Sequence, residues 1–144
     1  FRYNYQYVRN TLQLNQGPRP GSKDPIFSDI SLLADVAETD WSWSPLLADF
    51  DHDGYRDLIV TNGFPKDITD RDFISFRQDA AKVATKDYML AQIPVVKISN
   101  YAFRNRLGDP TPSFTFEDAT TDWGLYRPSF SNGAAYGDLD NDGD

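Results

Sequence analysis

Four carboxylates fall within one stretch of nine residues, Asp49-Phe50-Asp51-His52-Asp53-Gly54-Tyr55-Arg56-Asp57, at positions 1, 3, 5 and 9. Acids crowded this closely repel one another unless a cation gathers them. Alternate side chains of a tight loop can supply the oxygens that hard Ca²⁺ prefers, about six to eight of them at roughly 2.3–2.6 Å. Gly54, at position 6, permits a turn that a Cβ would oppose, and Tyr55, at position 7, would offer its backbone carbonyl. The expected ligand set is therefore Asp49, Asp51, Asp53, the Tyr55 carbonyl and Asp57. Asp and Gly are also ordinary turn formers, but a plain turn does not call for this many acids.

The pattern recurs near the end of the sequence. Asp138-Leu139-Asp140-Asn141-Asp142-Gly143-Asp144 repeats positions 1, 3, 5 and 6, so Asp138, Asp140, Asp142 and Asp144 form a second candidate set. A helix-flanked loop of the EF-hand kind ends in a bidentate Glu at position 12. Here that position is Val60, and the last acid, Asp57, leads straight into Leu58-Ile59-Val60. The element expected to hold the loop is a β-hairpin.

The rest of the chain reads as two copies of one strand-rich unit. A shift of 89 residues brings Phe27 onto Phe116, Asp29 onto Asp118, Trp41 onto Phe130 and Asp49 onto Asp138. Upstream, Asn10 to Asn15 match Asn100 to Asn105 at a shift of 90. Alternation predicts strands at Tyr3–Tyr7, around Leu12 and Leu14, at Phe27–Ile30, along Trp41–Ala48 and at Leu58–Thr61. Gln16 to Pro25 reads as a loop, and Leu32 to Ala37 as a helical turn. In the second unit the strands fall at Tyr101–Phe103, Phe114–Phe116 and Ala134–Gly137. Between the units the spacing changes: Phe73, Phe76, Ala80, Val83, Ala84 and Ala91 follow a helical period, with Thr69 or Asp70 as cap and Pro94 as stop. One amphipathic helix over 70–92 is expected, packed on the sheets through its apolar face; the alternative is a partner-binding helix.

Charge and composition narrow the function. The formal net charge is −8, and 20 of the 22 acids are Asp, which favours turns and metal loops over helices. Such a chain is a poor partner for nucleic acid, which rewards basic patches. No apolar run approaches the roughly 20 residues of a membrane span. His52 is the single histidine and there is no cysteine, so no nucleophilic triad can be assembled. The aromatics, Trp41, Trp43 and Trp123 among them, are expected to fill a core between sheets rather than stack on sugars.

The string WSWSPLLADFDHDGYRDLIVTNG, preceded by RNTLQLNQG and FSDIS, resembles the FG-GAP/VCBS repeats of integrin-like β-propellers, and most closely the secreted bacterial ASPIC/UnbV (cartilage acidic protein-like) group. FRNRLGD, FTFEDATTDWGL and SFSNGAAYGDLDNDGD are similar in the same way. The resemblance implies an all-β fold of four-stranded propeller blades with Ca²⁺ in the hairpin loops. The chain would hold about two repeats of a roughly seven-bladed ring. Residues 1–64 would be the first repeat, 65–98 a helical insertion and 99–144 the second. Phe1 is not a natural start, so a longer parent supplying the remaining blades is expected, or self-association in its place. The implied function is a non-catalytic module, secreted, periplasmic or at the cell surface, that binds a carbohydrate or an extracellular protein. The alternative is part of a calcium-dependent polysaccharide lyase.

Overall fold

The computed structural model describes residues 9–80 and 82–137. The expected strand at Tyr3–Tyr7 and the second acidic loop lie outside these residues. Strands β1 (Gln13–Pro18) and β2 (Pro25–Asp29) pair antiparallel as one small sheet. A second sheet has the order β3-β4-β5-β6, from β3 (Ser42–Ala48), β4 (Asp57–Asn62), β5 (Tyr101–Asn105) and β6 (Phe116–Asp118), all antiparallel. It joins strands of both sequence units, with the helical segment standing between β4 and β5 in the chain.

Composition explains the strand order. β4 reads Asp-Leu-Ile-Val-Thr-Asn, rich in β-branched side chains, and is buried along nearly its whole length as an interior strand must be. β3 carries Pro45, which lacks a backbone N–H, and among the described residues β3 is an edge strand pairing only with β4. Leu58, Val60 and Phe103 form the core with Ala34 and Val36, and Leu12, Ile30, Tyr101 and Phe116 pack around them. Ala34 and Val36 belong to the expected helical turn, in which the Ala34 N–H donates to the Ile30 carbonyl at 2.8 Å. The Phe116 N–H donates to the Ala34 carbonyl at 3.1 Å, tying that turn to β6.

Several expectations need correction. The loop expected from Gln16 to Pro25 is strand at both ends, since β1 runs on to Pro18 and β2 begins at Pro25, and the strand expected at Phe114–Phe116 begins at Phe116 and runs to Asp118. The helical segment is two helices, α1 (Arg71–Ala80) and α2 (Lys86–Ala91). Asp70 caps α1, accepting from the Phe73 N–H at 2.7 Å, whereas Thr85 caps a fresh start by accepting from the Tyr88 N–H at 3.3 Å. A second N-cap inside the periodic run ends one helix and begins another. Ala134–Gly137 is not a strand, because among the described residues no strand pairs with it. The tryptophans are not core residues either. Trp43 is 43% exposed on the edge strand, and with Trp41 it packs on Phe64 at centroid distances of 5.5 and 5.0 Å. Trp123 meets Phe50 edge-on at 6.0 Å.

Candidate metal loop

The acidic stretch connects β3 to β4, and Ala48 opposite Asp57 is the last pair of the hairpin ladder. Beyond that pair the chain folds on its own carboxylates. Asp49 accepts from the Asp53 N–H at 3.1 Å through Oδ1 and from the Gly54 N–H at 2.9 Å through Oδ2. Asp51 accepts from the Asp53 N–H at 3.3 Å, and Asp53 accepts from the Tyr55 N–H at 2.8 Å. His52 and Gly54 take φ of 59° and 89°, the left-handed turns that bring the backbone around.

Asp57 differs from the other three. It is fully buried at the start of β4. Its Oδ2 accepts from the Phe50 N–H at 2.9 Å and its Oδ1 from the Asn105 N–H at 2.8 Å, so it bridges the loop to β5. The Asn105 side chain then donates to the Arg56 carbonyl at 2.9 Å. Burial pushes the Asp57 carboxyl above the usual carboxylate range. The two N–H donors pull it back, and the charges of Asp51 and Asp53 push it up again.

Asp49, Asp51 and Asp57 each bring one carboxylate oxygen within 4.8 Å of the others. Oxygens sharing one Ca²⁺ lie at most about 5 Å apart, twice the metal–oxygen distance, so the spacing fits such an ion. Asp53 is not in this group. Its Oδ1 is engaged by Tyr55, and its Oδ2 lies where a Cβ on Gly108 would stand. Tyr55 is exposed on the same side of the loop. Asp138, Asp140, Asp142 and Asp144 fall outside the described residues. Asn105 and Gly108 were not foreseen as neighbours of the loop. Asn105 did stand in the repeated Asn-containing motif, but its contact with the loop requires β4 to pair with β5 across the helical segment.

Residues 41–73 match the FG-GAP repeat family. This span is the hairpin of β3 and β4 with its acidic loop, and it runs into the first residues of α1. It supports the FG-GAP family for the acidic-loop hairpin and its flanks. No curated protein and no solved structure matches the chain.

Proposed function

We propose that the chain is a non-catalytic, calcium-binding part of a β-propeller, secreted, periplasmic or displayed at a cell surface, where it binds a carbohydrate or a protein. Two observations support it: the FG-GAP match over the hairpin, and the three convergent oxygens of Asp49, Asp51 and Asp57. The convergence carries the argument, because three carboxylates held this close, one of them buried, call for a cation to offset their repulsion. Asp53 and the Tyr55 carbonyl would complete the shell after a change in the Asp53 side chain, and water would fill the rest. A bound Ca²⁺ would neutralise the loop and hold the hairpin closed. In this reading β3-β4-β5-β6 is one blade and β1-β2 belongs to its neighbour. The second acidic loop would hold another ion, and remaining blades would come from the parent chain or another copy. An FG-GAP repeat is typically a non-catalytic binding module.

Isothermal calorimetry of the metal-stripped protein tests the proposal. Saturable heat with Ca²⁺ is expected from the wild type and not from Asp51→Ala. Equal heats from both, or none from either, would remove the calcium reading.

A further inference from the structure

The helical segment carries a feature that the metal loop does not use. An open groove of about 450 Å³ lies between α1 and α2. Phe73 and Ile93, both buried, form its floor, and Ile68 and Leu90 stand at its rim with 57% and 47% of their surface exposed. Arg77 and Lys86 also line it, and no acid does. Among the described residues neither cation is paired with a carboxylate. Residues 65–98 hold six of the chain's 14 cations and five of its 22 acids, a net +1 that leaves −9 on the remainder.

We propose that this groove is the docking site for an acidic amphipathic helix of a partner protein. An apolar surface rimmed by unpaired charge is the signature of an interaction site rather than of a solvated face. The partner's charge follows from Arg77 and Lys86, which would meet carboxylates flanking an apolar stripe. Its conformation follows from the walls. Both are helices, and none of the residues lining the groove belongs to a strand, so an extended segment would find no ladder to join, whereas a helix brings its own hydrogen bonds. α1 has 10 residues, a length of about 15 Å, which matches two to three turns of a docked helix. An anionic bilayer fits less well, because it would spread beyond the groove onto Asp72, Asp79 and Asp87, whereas a docked helix meets the groove lining, which holds no acid. This surface gives a partner class to the binding role proposed above, but it does not depend on metal in the loop.

Fluorescence anisotropy with a labelled helical peptide, Leu at i, i+3, i+4 and i+7 and Glu at the flanking positions, tests it. Saturable binding is expected, weaker by about tenfold or more when Lys replaces Glu. The exposed double variant Arg77→Glu/Lys86→Glu should lose the Glu peptide and gain the Lys peptide, with its circular dichroism unchanged. Equal binding of the two peptides, binding of neither, or an unaltered preference in the double variant would overturn the proposal. Retention on phosphatidylserine vesicles without peptide binding would overturn it in favour of a membrane. Repeating the titration in EDTA and with Asp51→Ala separates the two proposals: peptide binding should survive both, while the heat of calcium binding should survive neither.

Discussion

Asp57 and Asp51 face the same candidate ion, yet their surroundings predict opposite behaviour in its absence. Asp57 is buried, and its two oxygens each hold one backbone N–H, from Phe50 at 2.9 Å and Asn105 at 2.8 Å. Asp57→Asn keeps one acceptor and turns an amide N–H₂ toward the other donor. A buried donor left without its acceptor costs about 1–3 kcal/mol, so roughly 2 kcal/mol of stability should be lost even in EDTA. Asp51 is exposed and accepts a single bond of 3.3 Å, so Asp51→Ala should stay within about 0.5 kcal/mol of wild type in EDTA. Urea unfolding with linear extrapolation reads both. With calcium at a hundredfold excess over its dissociation constant, wild type should gain about 2.7 kcal/mol, and both variants should lose most of that gain. The reasoning fails if Asp57→Asn is silent in EDTA, or if Asp51→Ala destabilises the stripped protein as much as Asp57→Asn does.

Gly63 has φ of 109°, and a Cβ there would drive into the Ser129 carbonyl and the Phe130 backbone. Gly63→Ala should therefore cost about 3 kcal/mol or more, read by urea unfolding. At Gly108 the obstacle is the end of the Asp53 side chain, which can swing away, so Gly108→Ala should cost about 1 kcal/mol. In acid, Asp109 is held below the usual carboxylate range by hydrogen bonds from Arg106 and Arg104, and Asp29 by the Ser31 N–H and hydroxyl. Each contributes stability that is present above its unfolded value near pH 4 and is lost as pH falls through the lower folded value. The acid limb of a tryptophan-fluorescence titration should therefore flatten in Asp109→Asn and in Asp29→Asn. Asp57, raised rather than lowered, works in the opposite direction and is common to all these proteins. Finally, Asn105→Asp sets a carboxylate against the Arg56 carbonyl and should cost about 1–3 kcal/mol. Asn15→Asp at the matching position of the first unit should stay within about 0.5 kcal/mol, and paired thermal melts compare the two.

The hairpin around the acidic loop was legible because every local signal agreed. Apolar runs flank a cluster of Asp and Gly, and the four-residue stretch Leu58–Thr61 falls inside the observed β4. The convergence of Asp49 and Asp51 with Asp57 followed from alternate spacing within one loop. The departure of Asp53 did not: its Oδ1 takes the Tyr55 N–H, and its Oδ2 lies beside Gly108, which is far along the chain and carries no signal of its own. The break between α1 and α2 was hidden for a different reason. The apolar period continues through it, and only Thr85, a capping residue in mid-run, marks the new start. The tryptophans misled because hydrophobicity reports preference for burial, not how fully an edge strand is covered. Trp43 shares a cavity with Val36, Leu58 and Val60 yet stays 43% exposed on β3.

The repeated Asn motif gains a physical meaning once β4 and β5 are seen side by side. In both units the second Asn bends the chain on itself: Asn15 Oδ1 accepts from the Gly17 N–H at 2.9 Å, and Asn105 Oδ1 from the Leu107 N–H at 3.0 Å. At Asn105 that local turn ends β5, whereas Asn15 lies inside β1, where the pairing with β2 shifts register between Asn15 and Pro18. At Asn105 the remaining groups have a second task. Its backbone N–H holds Asp57 and its side-chain amide holds the Arg56 carbonyl, so one residue of β5 fixes the exit of the acidic loop. A loop of mutually repelling acids cannot organise its own exit, and the neighbouring strand does this through a neutral side chain that adds no further charge. The latch therefore crosses the two sequence units: the carboxylate loop of the first is held at its exit by an Asn of the second, which turns its own chain and fixes the loop in the same place.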